Sequence, residues 1–439
     1  MKASVRVIGA GLAGVEACLQ LAKRNVEVDL YEMKPGKMSP AHKLSTFAEL
    51  VCSNSLRSDS GENAAGLLKT ELRLLGSEVM KVADLTRIPS GSALAVDRES
   101  FSQALTKAIQ SNPLIKIHHE EVTSIPEKGI TIIATGPLTS DALSSELEKE
   151  FGALMYFYDA VAPIIAFDSI DTNIAYFKNR YDKGDGLYLN CPMSKEQYDL
   201  FYEELINAEC VPLKEFEMRV FEGCMPIEEM AKRGPKTLTF GPLKPIGLQR
   251  PEHPKAYAVV QLRQDNHSGS LYNIVGFQTH LTFPEQKRII RMIPGLAQAE
   301  IIRYGVMHRN TFINAPALLL PTYQLKNREE FFIAGQLSGV EGYVESIASG
   351  FVAGINAARL AQGDGPIVFP LETMIGAQAQ YIANADSAYF QPMNINFGLV
   401  PPIIDERNKK NNKALVAARS IEKTEKFIEV YQLDQQGNN

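Results

Sequence analysis

Ser4-Val5-Arg6-Val7-Ile8-Gly9-Ala10-Gly11-Leu12-Ala13-Gly14 opens the chain, and an apolar-periodic stretch through Cys18, Leu19 and Leu21 leads to a second short apolar run, Val26 to Tyr31, closed by Glu32. This is a strand, a Gly-x-Gly-x-x-Gly turn, a helix and a second strand ending in a carboxylate, the order of parts that binds a dinucleotide. Gly9 permits the tight turn and Ala10 completes it. Gly11 lets backbone N–H groups approach a pyrophosphate at the positive end of the helix, and Gly14 lets that helix pack closely on the sheet. Glu32 is placed to accept hydrogen bonds from an adenosine ribose. The glycines alone would fit an ordinary strand-to-helix turn, but the flanking strand, helix, strand and acid all agree with the nucleotide reading.

The chain has 439 residues, 45% of them hydrophobic, which is too long for one core and rich enough to bury two or three. It contains no apolar run of about eighteen residues, and it enters the first strand without a basic-then-apolar leader, so a cytoplasmic protein is expected. The five cysteines, Cys18, Cys52, Cys191, Cys210 and Cys224, include no CxxC pair, so free thiols and no metal site are expected. A net charge of −6 does not announce a polyanion-binding protein, and any RNA contact needs a local basic patch.

Residues 34–63 are rich in Ser, Pro, Gly and Asn and predict a long loop over the nucleotide site. Leu67, Leu68, Leu72 and Leu75 predict a helix, as do Phe101, Leu105 and Ile109 beyond Asp97. Strands follow at Ile115–Val122 and Thr131–Ala134, the second stopping at Ala134-Thr135-Gly136, a turn suited to a bound cofactor. From about residue 160 to 310 aromatics, prolines and short strand-like runs replace the strand–helix alternation. The nucleotide pattern resumes at Phe331-Phe332-Ile333-Ala334-Gly335-Gln336, then Glu341-Gly342 and a helix through Ile347, Phe351 and Ile355. The expected fold is therefore α/β: a glutathione-reductase-like FAD-binding Rossmann domain, residues 1–159 and 311–439, carrying an inserted smaller α+β domain, residues 160–310. The late strand–turn–helix, with no second dinucleotide fingerprint elsewhere, favours one bound FAD over a dedicated nicotinamide domain.

Longer motifs sharpen this. Val51-Cys52-Ser53-Asn54-Ser55-Leu56-Arg57, Phe221-Glu222-Gly223-Cys224-Met225-Pro226-Ile227-Glu228, Gly241-Pro242-Leu243-Lys244-Pro245, Val275-Gly276-Phe277-Gln278-Thr279-His280 and Ala334 through Gly350 resemble the bacterial folate- and FAD-dependent tRNA (uracil-5-)-methyltransferase family almost end to end. The family is similar to another tRNA-modifying flavoprotein group, MnmG, whose members are longer by a C-terminal helical domain. The resemblance implies that methylenetetrahydrofolate donates carbon to C5 of the T-loop uridine 54 of tRNA, with FAD as carrier and reductant and NAD(P)H as electron source.

It also implies roles for residues. Uracil C5 is a poor nucleophile until a group adds to C6, and Cys224 matches the family's nucleophile for that step. Cys52 has a supporting place, as base for the C5 proton or as a thiol near the flavin. The resemblance has His280 stacking on the pterin, although a lone His is commonly structural. Glu341 and Glu345 either bind the pterin or favour the helix N-terminus electrostatically. Lys232, Arg233, Lys236 and Lys244, with Phe240 among them, form a basic stretch that is either a solvated face or the RNA docking surface; Lys287, Arg288 and Arg291 form another. Cys18, Cys191 and Cys210 are expected to be inert. The rival readings are a ribosomal RNA methyltransferase of the same family, a small-substrate FAD oxidoreductase, and a non-catalytic flavin-binding component of an RNA-modification complex.

Overall fold

The opening motif folds as its spacing dictates, into strand Val5–Ile8, helix Leu12–Lys23 and strand Val28–Tyr31. The computed structural model describes residues 4–152, 154–182, 188–211, 225–249, 255–403 and 412–433. The opening strand is central in a six-stranded sheet ordered 324–325, 328–333, 131–133, 5–8, 28–31, 115–118, parallel except for the short edge strand 324–325. Phe331 to Ile333 lie beside Thr131 to Ile133 in register, so the late Gly turn and the Ala134-Thr135-Gly136 turn leave the sheet at the same edge as the opening fingerprint. In a parallel sheet that edge, beyond the carboxyl ends of the strands, is where ligands bind.

Two helices cross under this edge at unusually short range. A Cβ added at Gly350 of the return helix, Tyr343–Gln362, would lie 2.2 Å from the Ala13 carbonyl oxygen, and one at Gly354 would lie 2.9 Å from the Ala17 Cα. Gly14 is as tight on the other side, where a Cβ would sit 1.9 Å from the Gly9 oxygen. Small residues four apart on each helix thus let two backbones touch, which no larger side chain would allow.

The second core, from Ala162 to Ile301, is built on a separate antiparallel sheet ordered 176–177, 189–193, 258–264, 271–274, 164–166, 301–303. A two-stranded ribbon, Met155–Ala160 against Met307–Phe312, carries the chain into this unit and out again. The glutathione-reductase-like α/β class with an α+β insert is the one observed. Among the described residues, no helix is long and apolar enough to cross a membrane.

The region expected to be loop contains one strand, Ser55–Ser58, paired irregularly with Ala93–Val96. Its polar sequence hides it, because only Leu56 turns inward and the buried Lys69 ammonium holds the Leu56 and Ser58 carbonyls at 2.8 and 2.6 Å. The helices expected from Leu67 and Phe101 form as Ala64–Leu74 and Arg98–Gln110, the second capped by Asp97 accepting from Ser100 N–H at 2.9 Å.

Gly350→Ala forces the crossing helices apart and should lower unfolding stability by about 1–3 kcal/mol, the usual cost of overpacking, measured by denaturant titration. An unchanged midpoint would mean that the crossing is not tight.

Candidate functional site

Where the three turns meet lies a partly open cleft of about 1100 Å³, counting the solvent space at its mouth. Gly9, Ala10, Gly11, Glu32, Ala134, Thr135, Gly136, Gly335 and Gln336 all line it; Gly14, Glu341 and Gly342 do not. Gly14 instead seats the helix on the Gly9 carbonyl, the close packing expected of the third glycine. Glu32 is 7% exposed, with Oε2 accepting from Ala10 N–H at 2.8 Å and Oε1 from Lys34 N–H at 3.0 Å. Those bonds aim the carboxylate and leave lone pairs for ribose hydroxyls. A Cβ built on Gly11 meets no protein atom within 4 Å, so its side-chain direction is open space at the positive end of the opening helix. This cradle fits a dinucleotide pyrophosphate.

The return helix supplies a second wall through Tyr343 and Ser346. Gly335 N–H donates to Ser349 Oγ at 2.7 Å, which ties the late turn to this helix, and Gln336 Nε2 donates to Glu341 at 2.5 Å. Glu345 is fully buried in the first turn, where Arg57 and the Ile395 N–H both donate to its Oε1. Arg57 itself holds a left-handed φ of 64°.

Cys52 is half-buried, and its neighbour Val51 is a wall of the cavity. Tyr343 Oη accepts from Cys52 N–H at 2.8 Å and Ser53 N–H at 3.1 Å. Arg98 donates to the Leu50 and Cys52 carbonyls, and Arg303 to the Val51 carbonyl at 2.5 Å. Burial pushes the Tyr343 hydroxyl well above its ordinary value, with the neighbouring Cys52 adding to the shift, so the phenol stays neutral.

Cys224 lies outside the described residues. His280 is 5% exposed and does not line the cavity. Its Nδ1 is 2.7 Å from Glu228 Oε1, and Cys210, Glu228 and His280 bring ligating atoms within 4.8 Å of one another. Burial alone would push the imidazole down, but Cys210 and Glu228 outweigh it and hold it up to about 10. Glu228 also accepts Thr279 Oγ1 at 2.9 Å and the His280 N–H at 2.7 Å, so the carboxylate is well held, while His280 Nδ1 meets it as a buried charge pair without a directed hydrogen bond. His280 would have to leave that carboxylate to stack on a pterin. Cys210, expected to be a plain inert thiol, is thus the neighbour of a cation. Cys18 and Cys191 are wholly buried; burial raises both thiols, Cys191 to about 12, so neither is a thiolate at neutral pH.

On the insert, Lys232, Arg233 and Lys236 are exposed, Lys244 is half-buried, and Phe240 is 75% exposed. Lys232 pairs with Glu229 at 2.7 Å. In the second basic run, Arg288 is engaged by both Glu285 and Glu204, which neutralises much of its attraction for a polyanion.

The model of the glucose inhibited division protein A family matches residues 4–365. The chain belongs to this family. Curated proteins named methylenetetrahydrofolate–tRNA-(uracil-5-)-methyltransferase TrmFO are similar to it along nearly its whole length. The one from Exiguobacterium sibiricum is 59% identical over 432 residues, 97% of this chain and 99% of that protein. The one from Listeria innocua is 59% identical over 433 residues, 98% of this chain and all of that protein. Among solved structures, GidA of Aquifex aeolicus superposes with a TM-score of 0.68 at 19% identity, covering 98% of this chain and 75% of that one, a likeness of fold.

Because the Gly11 side-chain direction is empty of protein, Gly11→Val should fold with wild-type stability yet purify without flavin colour. Full flavin absorbance in that variant would displace the pyrophosphate from this turn.

Proposed function

We infer that this chain is an FAD-dependent methyltransferase that moves a one-carbon unit from methylenetetrahydrofolate to C5 of a tRNA uridine, the T-loop uridine 54. The observation that carries the reading is 59% identity along 97–98% of the chain with relatives named for that reaction. The cavity's Gly11 cradle and Glu32 carboxylate support the cofactor. Those relatives' names favour tRNA over ribosomal RNA. A small-substrate oxidoreductase would have no use for the exposed basic stretch around Phe240.

Bound FAD would supply the carrier of the one-carbon unit and the electrons that complete the methyl group, with NAD(P)H as their source. The chain's own residues bind, orient and move protons. N–H groups at Gly11 and the opening helix face the pyrophosphate, and Glu32 takes the ribose. The Cys224 thiolate adds to uracil C6, which makes C5 nucleophilic; Cys52 accepts the C5 proton, and Cys224 then leaves as the C5–C6 double bond re-forms. For the pterin we assign the two carboxylates at the start of the return helix, Glu341, which accepts from the cavity residue Gln336, and Glu345, whose Oε1 accepts from Arg57 and the Ile395 N–H. Lys232, Arg233, Lys236 and Lys244 meet RNA phosphates, and Phe240 offers a ring on which an unpaired base stacks.

The two thiols separate experimentally. Cys224→Ser should keep flavin, lose methyl transfer and fail to trap 5-fluorouridine RNA as a covalent adduct, since a hydroxyl has no appreciable anionic fraction near neutral pH. Cys52→Ser should slow transfer to a low but measurable rate and still form the adduct. The opposite pattern on denaturing gels would reverse the two assignments.

A further inference from the structure

Cys52 sits in a peptide run whose polar groups are claimed by residues from distant parts of the chain. Arg98, the first residue of helix Arg98–Gln110, is almost wholly buried and donates to the carbonyls on both sides of the run, Leu50 and Cys52, the latter at 3.4 Å. The same guanidinium makes two bonds to Asp265, Nε to Oδ2 at 2.9 Å and Nη2 to Oδ1 at 3.1 Å. Asp265 follows strand Ala258–Gln264 and belongs to the insert. The preceding residues of that strand reach the same loop. Arg263 Nη2 donates to Ser53 Oγ at 2.6 Å, and Asn54 Nδ2 donates to the Gln264 and Asp265 carbonyls at 3.1 Å each.

A guanidinium presents a planar fork, so Asp265 fixes the plane from one side while the carbonyls accept from the other. The thiol's backbone is thereby set by a buried ion pair that spans both domains. Burying such a pair is costly, and leaving either member alone costs more, so its presence at a loop rather than in a core demands a local reason. Arg303, half-buried with its charge held down by burial and by Arg98, donates to the carbonyl between the two that Arg98 takes. Two cations brought together around three consecutive carbonyls make a clamp on the loop.

We propose that Arg98, oriented by Asp265 of the insert, is a positioning residue for the Cys52 thiol in one-carbon transfer. It does not line the cavity and acts through the peptide run 50–52. The proposal rests on Cys52 taking part in the reaction, as inferred above. Lysine in place of Arg98 keeps the charge but loses the fork, and asparagine in place of Asp265 keeps the shape but loses the charge.

The test is a double-mutant cycle on the full-length flavin-loaded protein, with methyl transfer from labelled methylenetetrahydrofolate to unmodified tRNA as the readout. Arg98→Lys should lower kcat by about 10- to 100-fold, the usual penalty for misplacing a reacting group by about 1 Å, while KM for tRNA, flavin content and 5-fluorouridine adduct formation stay near wild type. Asp265→Asn should move the same quantity in the same direction. In Cys52→Ser, adding Arg98→Lys should cost nothing further, because the arginine acts through the thiol. Additive losses in the double variant would overturn the proposal, as would equal falls in kcat and flavin content, which mark a structural role. If Cys52→Ser alone transfers methyl at the wild-type rate, the reading of Cys52 fails instead, and the cycle reports that outcome separately.

Discussion

The structure depends on two helices being allowed to touch. The opening helix and the return helix come from segments more than three hundred residues apart, and their backbones meet where Ala13 and Ala17 face Gly350 and Gly354. Each residue there gives up side-chain packing area so that the helix axes can approach. In exchange the two helix starts, at Leu12 and Tyr343, open on one cavity, since both residues line it. Two positive helix ends aimed at the same space make the site anion-seeking, and Lys34 is one of its walls. The long connection between them, filled by the insert, costs little more in closure entropy than a short one would, because that cost grows only with the logarithm of length.

The insert is not simply an appended lobe. Its sheet has a core of its own, yet the strand Ala258–Gln264 and the Asp265 that follows it reach across to residues 52–54 and to Arg98. Loops that carry reactive groups are held by rigid neighbours when their geometry matters, and here each domain supplies part of the hold. Tyr343 closes the arrangement. It is simultaneously a cavity wall, the first residue of the return helix and the acceptor for the Cys52 N–H, so the helix that presents its dipole to the cofactor space also sets the thiol loop.

The parts of this molecule that were legible in the sequence are those whose physics is local. Gly9, Gly11, Gly14 and Glu32 sit within one strand–turn–helix–strand unit, where spacing alone says which face each residue takes. The same is true of Ala134-Thr135-Gly136 and Gly335-Gln336, which follow strands that read as buried runs. Arg98, Asp265, Arg303 and Tyr343 gave no such signal. Arg98 looks like an ordinary first-turn residue behind an Asp cap, and its partners at Leu50 and Asp265 are brought near only by tertiary folding. The run at Lys287, Arg288 and Arg291 shows only its own charges in the sequence, and that Arg288 meets Glu204 from another helix is set by tertiary folding. For His280 the sequence leaves pterin stacking and a structural role both open, and in the fold the bridge between Cys210 and Leu281 beside it and the Glu228 carboxylate draw the ring inside.

One measurement bears most directly on the account. The purified yellow protein is incubated with methylenetetrahydrofolate labelled at the transferred carbon, NAD(P)H and tRNA transcribed without modification, and the nucleosides are then separated. The account predicts label in 5-methyluridine at the T-loop position, dependent on folate, nicotinamide and flavin together. Flavin turnover with no label in the RNA would contradict it and leave an oxidoreductase on the same fold.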